Sequence, residues 1–364
     1  MNFTNQETKE IFERIDNHRF NPIKEGFTYD RNLDEHGVAD LDDRDWLVRT
    51  LAVRDLVRLG TDVIDDIEEA LHHSNPHVRQ ISAMAAGILR LDPVIERLET
   101  MLSGDPDEVV RSQAVISLWQ IGSENSLSLV KSVQKNDESK DVRHQAELAA
   151  YAIENGYTAT DEFKEAFINL NEEHFNKVQT GKPAPDFNLP DTENNPWKLS
   201  GLKGDKPVVL IWVFADWCPV CHREFDELIE MREELENEIR FFTLECHDIY
   251  PCRVMVGKEF EPEYWFADEP FLEAYTKKIW WPHLVDRAAV VGTQYGIQPM
   301  VFTVHSEWIN RPSVVIIDEE GIVRFTYYGT FWGDRPSIHD IKEMIKTGNY
   351  DYENPKRIKL AGKG

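Results

Sequence analysis

Val208-Val-Leu-Ile-Trp-Val-Phe-Ala-Asp-Trp-Cys-Pro-Val-Cys-His-Arg-Glu-Phe225 is the stretch that decides the fold. An unbroken apolar run over Val208–Phe214 reads as a central strand buried on both faces. It leads straight into Cys218-Pro-Val-Cys221, and Cys221, Phe225, Leu228, Ile229 and Leu235 then recur on one helical stripe. That order puts Cys218 at the N-terminal end of a helix, where unpaired N–H groups and the macrodipole favour a thiolate. Two cysteines in disulfide reach, one of them activated, are the minimum equipment for reversible dithiol chemistry.

Working outward, Pro183–Leu189 reads as a leading segment, Asp191–Asn195 as a turn and Ile239–Glu245 as the next strand. Ser313–Ile317 and Ile322–Tyr328 flank Asp318-Glu-Glu-Gly321, a turn with Gly where positive φ is needed. A last helix starts at Ser337 as N-cap and stops before Gly348. Between them lies a long irregular insertion, 251–310, rich in aromatics: Tyr264, Trp265, Phe266, Phe271, Tyr275, Trp280, Trp281 and Trp308. Such residues are ordinarily core. A substrate groove and a docking face for the rest of the chain are the two functional readings.

The first half follows another period. Val-Arg pairs begin at Val48, Val78, Val110 and Val142, spaced by 30, 32 and 32 residues, and three positions after each Arg stands a small residue: Ala52, Ser82, Ala114, Ala146. Helical apolar spacing continues from each pair. A fixed period of this size, with two helices per unit, predicts an all-α solenoid. The small residue lets helices approach, the Val faces the shared core, and the Arg stem packs along the next repeat.

Composition narrows the class. With 364 residues the chain exceeds one ordinary core. Lys and Arg number 40 against 66 Asp and Glu, a net −26, which disfavours nucleic acid and anionic membrane surfaces as partners. Met1–Glu10 lacks the basic and apolar regions of a secretory signal, and no run approaches the ~20 apolar residues of a membrane span. The expected location is cytoplasmic. Four cysteines are too few to staple a secreted scaffold.

Two resemblances follow from these motifs. The Val-Arg-X-X-Ala core resembles HEAT-type repeats over residues 37–157, which implies a surface for a protein partner or one that packs on the second domain. Gly181-Lys-Pro-Ala-Pro-Asp-Phe, Trp217-Cys-Pro-Val-Cys and Arg311-Pro-Ser-Val-Val-Ile-Ile-Asp-Glu-Glu-Gly, in that order, resemble the thioredoxin-like superfamily over 180–348. Within it the match is to the branch shared by peroxiredoxins (alkyl hydroperoxide reductase/thiol-specific antioxidant type) and TlpA/ResA-type thiol oxidoreductases. The implied architecture has two domains, a HEAT-like helical solenoid followed by an α/β thioredoxin-like fold with a long insertion. Its expected segments are an extended or capping piece (1–36), repeats (37–170), a linker (171–182), the redox domain (183–350) and a tail (351–364).

The branches differ at legible positions. The peroxiredoxin motif Pro-X-X-X-Thr/Ser-X-X-Cys laid on Cys221 finds Phe214 for Pro and Cys218 for Thr, and its distant Arg falls on Pro312, with Arg311 one residue off. A proline six residues before Asp318 is instead what the dithiol branch shows, as a cis-proline against the cysteine pair. The resemblance therefore implies thiol–disulfide exchange with a protein disulfide or dithiol client: Cys218 the exposed nucleophile, Trp217 its shield, Cys221 the resolving cysteine, Pro312 cis. Glu224 is matched to the proton-transfer Glu of the TlpA/ResA type, or is a surface residue. His222 supports a thiolate or faces solvent.

An antioxidant thiol peroxidase using Cys221 or Cys218 is the runner-up, favoured by Asp286 and Tyr295-Gly-Ile297, which resemble a peroxiredoxin segment. A non-enzymatic adaptor comes third. Cys218–His222 also fits haem c attachment, which the preceding core strand disfavours. Cys246 and Cys252 read as unremarkable reduced thiols, with a second redox pair as the alternative. No cofactor and no metal is expected.

Overall fold

The computed structural model describes residues 3–20, 45–175, 178–216, 218–260, 279–297, 299–302, 306–329 and 334–355. In the first half, helix α1 (Gln6–Asn17) precedes four helical pairs: α2 (Asp45–Leu59) with α3 (Ile64–Ala70), α4 (Pro76–Leu89) with α5 (Ile95–Gly104), α6 (Glu108–Ile121) with α7 (Leu127–Asn136), and α8 (Lys140–Glu154) with α9 (Asp161–Asn169). Each Val-Arg pair opens the first helix of its unit. Val78, Val110, Val142 and the small residues Ala52, Ser82, Ala114 and Ala146 have no solvent exposure.

The arginines do more than lie along the next repeat. Arg79 forks onto the Asp105 carboxylate at 2.8 and 2.7 Å and donates back to the His73 carbonyl at 2.8 Å. Arg111 repeats the pattern with Asp137 at 2.9 and 3.0 Å and the Asp105 carbonyl at 2.9 Å. These bidentate pairs are buried and fully bonded, so truncating one partner strands a buried charge, at a cost of about 3–5 kcal/mol. Ile11, Phe12 and Ile15 of α1 join the array's core, and Asp66 accepts from the Thr4 and Asn5 amides at its start. Of the expected segment 1–36, residues 21–36 lie outside the described residues.

The second half is built on β1 (Asn188–Pro190), β2 (Pro196–Lys198), β3 (Val208–Trp212), β4 (Arg240–Glu245), β5 (His283–Val285), β6 (Pro299–Phe302), β7 (Glu307–Asn310), β8 (Ser313–Ile317) and β9 (Val323–Tyr328). Its helices are α10 (Pro219–Glu230), α11 (Arg232–Leu235), α12 (Ile249–Met255), α13 (Val290–Gln294) and α14 (Ile338–Thr347). The central sheet has the order β5-β4-β3-β8-β9, with β3, β4 and β5 parallel and β8 and β9 antiparallel to their neighbours.

The run that opened the sequence is the middle strand, and its two-residue alternation feeds two cores. Val209 and Ile211 point to α10 and α14 with Val314 and Ile316, whereas Val208, Leu210 and Trp212 meet Tyr295, Ile297, Val315 and Ile317. Each such side chain contributes about 1.5–3 kcal/mol on burial. The strand is shorter than expected, ending at Trp212, because Val213–Ala215 already turn toward the helix. Ser337 caps α14 through a reciprocal box with Asp340, and Gly348 closes it at φ 68°.

Among the described residues the insertion is not irregular. It supplies α12, the edge strand β5, α13 and the β6–β7 hairpin. Tyr264, Trp265, Phe266, Phe271 and Tyr275 fall outside the described residues. Trp280 and Trp281 pack in the α10-side core, while Trp308 meets Phe167 of α9 at 4.5 Å. The hairpin docks the array: Thr50 donates to the Pro299 carbonyl at 3.2 Å, and Gln145 bonds Glu307. Tyr250 of α12 donates to the Leu148 carbonyl at 2.8 Å, and Asp248 accepts from the Thr160 amide at 2.8 Å. Every residue of α4 from Val78 and of α6 from Val110 is buried. The array's inner face is thus covered by the chain's own second half.

Candidate functional site

Six residues of chain, 213–218, lead from the end of β3 to the start of α10. Cys218 is the helix N-cap, its carbonyl accepting from the Cys221 amide at 3.0 Å and the His222 amide at 3.2 Å. Pro219 takes the first helical position, where a missing N–H costs no bond. One turn later Cys221 brings its sulfur back under β3, 3.3 Å from the Phe214 amide.

A cation completes the site. Arg335, on the segment just before α14, donates to Cys221 Sγ at 3.0 Å, to the Trp212 carbonyl at 3.1 Å, and pairs with Glu224 at 3.1 Å. Cys218, Cys221 and Glu224 are buried, and both sulfurs have zero exposure. All four cysteines are free thiols.

Burial alone would push the Cys221 thiol up. A hydrogen bond from Cys218, the Arg335 charge and the Phe214 amide outweigh it and bring Cys221 down to about 5. Burial and the neighbouring Cys221 thiolate push Cys218 well up. Burial also raises Glu224, against the pull of Arg335, to about 8, so its carboxyl keeps a proton at neutral pH. Burial brings His222 down to about 4, and the imidazole lies on the Asp216 carbonyl.

Several expectations need correction. Cys218 is buried rather than exposed, and the Arg335 guanidinium hydrogen-bonds the deeper sulfur, so the Cys218 thiol is pushed up while Cys221 comes down. Pro312 is buried at the start of β8, beside the end of β3, with its carbonyl accepting from the Gly329 amide at 2.8 Å. Its peptide bond is trans, as are all described ones. Glu224 is no surface residue, and His222 is a buried neutral imidazole and neither a cation nor solvent-facing. Trp217 lies outside the described residues. Arg335 is the functional residue that motif reading missed. It stands 114 residues from Cys221, and only the turn-forming Asp334-Arg-Pro-Ser337 marks its neighbourhood.

The repeat array reaches this site. His144 of α8 lies 4.0 Å from the Asp216 carboxylate, two residues before Cys218. Asp216 also lines a cavity of about 70 Å³ between the two halves, with Trp119, Phe167, His247 and Trp308. Cys246 and Cys252 are buried apart from this cluster, Cys246 on the Trp308 carbonyl at 3.3 Å.

Residues 180–326 match the AhpC/TSA family, and residues 38–119 match HEAT repeats. Alkyl hydroperoxide reductase E of Mycobacterium tuberculosis is 28% identical over 148 residues, covering 41% of this chain and 84% of its own. Thiol-disulfide oxidoreductase ResA of Bacillus subtilis is 26% identical over 171 residues, 47% of this chain and 78% of its own. Thiol:disulfide interchange protein DsbE of Allochromatium vinosum is 28% identical over 151 residues, 41% of this chain and 66% of its own. Among the described residues no helix is long and apolar enough to cross a membrane. The chain therefore carries HEAT repeats followed by a redoxin domain of the AhpC/TSA type, the fold of a thiol-based oxidoreductase.

Proposed function

We propose that the chain reduces a small hydroperoxide at Cys221, with Cys218 as the second sulfur of the cycle. The observation that carries this reading is a guanidinium 3.0 Å from a sulfur that has no solvent exposure. Charge stabilisation makes the thiolate; enclosure favours a substrate of a few atoms over a folded protein disulfide.

The cycle balances with the groups at hand. The Cys221 thiolate attacks the outer peroxide oxygen, the O–O bond breaks, and sulfur is oxidised to a sulfenic acid. The leaving oxygen takes the proton that Glu224 retains up to about pH 8 and departs as an alcohol or water. The Cys218 thiol then attacks the sulfenic sulfur, forming the disulfide and releasing water. An external dithiol, a protein or a small thiol, returns two electrons. Four cysteines are too few to staple a secreted scaffold, which suits a reducing compartment such as the cytoplasm. The array acts as a wall over the redoxin domain, leaving α3, α5 and α7 as the face for a protein partner.

Stopped-flow mixing of the reduced protein with hydrogen peroxide and cumene hydroperoxide tests the reading. Oxidation orders of magnitude faster than that of free cysteine, ending in a Cys218–Cys221 disulfide by peptide mapping, is expected. Peroxide reaction at the free-cysteine rate together with rapid insulin reduction would establish dithiol exchange instead. Inertness in both assays would leave an adaptor.

A further inference from the structure

The structure assigns a second chemical site to the redoxin domain: a divalent-cation site of the zinc class formed by Glu245, Cys252 and His283. A carboxylate oxygen, a thiol sulfur and an imidazole nitrogen from these residues lie within 4.8 Å of one another, and all three side chains are buried. They come from three elements. Glu245 ends β4, His283 begins the neighbouring strand β5, and Cys252 sits in α12, which Asp248 caps directly after β4.

A hydrogen-bonded Glu–His pair accounts for two of these groups, since Glu245 Oε2 and His283 Nε2 are 2.9 Å apart. It leaves the thiol without a function. Among the described residues Cys252 Sγ reaches only the His247 carbonyl, at 3.7 Å, too far to position it firmly. A soft sulfur, an imidazole and a carboxylate converging in a dry interior form a donor set suited to zinc, and the two anionic donors neutralise a divalent charge.

The surrounding groups point the same way. The remaining nitrogen of His283 lies 2.7 Å from the Thr243 hydroxyl, which itself accepts from the Trp281 indole at 3.0 Å. The other oxygen of Glu245 lies 2.6 Å from His247 Nδ1. Both candidate ligands thus have their outward atoms fixed, the arrangement that orients metal ligands and tunes their basicity. Three protein ligands leave one tetrahedral position for water or a backbone carbonyl. A bound cation would pin α12 to the sheet edge, on the wall facing the repeat array.

Cobalt(II) titration of the full-length, chelator-treated protein is the test, with zinc content by mass spectrometry in parallel. The site predicts uptake of one equivalent, with a thiolate-to-cobalt charge-transfer band and tetrahedral d–d bands. Uptake and spectrum should persist in the Cys218→Ser/Cys221→Ser double variant and in Cys246→Ser. They should vanish in Cys252→Ser and His283→Gln, while Thr243→Val weakens affinity about 10–100-fold. Absence of uptake by the wild type would overturn the assignment, as would uptake that depends on Cys218 and Cys221 or survives Cys252→Ser. Should Cys252→Ser not fold, the band in the double variant decides alone, because only Cys246 and Cys252 remain there and Cys246→Ser separates them.

Discussion

Cys218 and Cys221 open a helix against an arginine, whereas Cys246 and Cys252, on the next strand end and helix, sit among carboxylates. All four sulfurs are equally buried, and burial pushes every one of the four thiols up. For Cys246 the Glu245 and Asp286 charges push further in the same direction. For Cys252 Glu245 does so, against a smaller opposing pull from Arg287. Only Cys221 comes down. Spacing brings sulfurs together, but the counter-ion sets which of them comes down.

Substitutions that remove one side of this contrast should rank accordingly. Cys221→Ser should reduce peroxide consumption to background, a loss on the order of 10³-fold or more, since the nucleophile itself is gone. Cys218→Ser should instead keep the first oxidation and stop at a sulfenic acid, seen by mass spectrometry with a sulfenate trap. Arg335→Met should raise the Cys221 titration by about 1–3 units, the usual worth of an adjacent opposite charge. The thiolate fraction at neutral pH, and the rate with it, should then fall up to ~10-fold, with Arg335→Lys in between.

The pH profile sharpens the comparison further. Cys221 becomes reactive as pH rises through about 5, and Glu224 loses the proton it donates as pH rises through about 8. Activity should form a plateau between these limits. Glu224→Gln should remove the alkaline limb and cost about 10-fold, short of the 10²–10⁴ usual for general acid catalysis. Cys246→Ser should change peroxide kinetics least, less than about 2-fold, because a buried thiol beside carboxylates carries no thiolate. A large loss there would break the contrast.

What could be read in advance was local. The strand Val208–Trp212, the Cys-X-X-Cys helix start, the Ser337 cap and the four Val-Arg units each depend on residues within a turn or two. The identity of the thiolate does not. A helix-end argument favours Cys218, yet the macrodipole is weaker than a guanidinium in van der Waals contact, and that guanidinium arrives from Arg335 at the far end of the domain. The docked array was half legible. The α6 sequence Glu108–Ile121 is charged only at Glu108 and Arg111, with apolar, small or amide side chains elsewhere around its circumference, the pattern of a helix covered on every side. No local feature says that the cover is the chain's own hairpin.

The ultraviolet absorbance of cysteine thiolate, followed from acid to alkaline pH in the reduced wild type and in Cys221→Ser, tests the central claim most directly. One thiolate appearing with a midpoint near 5, present in the wild type and missing from the variant, is the predicted result. A first ionisation near the ordinary thiol value of ~8.5, or a low midpoint that survives Cys221→Ser and disappears in Cys218→Ser, would contradict it.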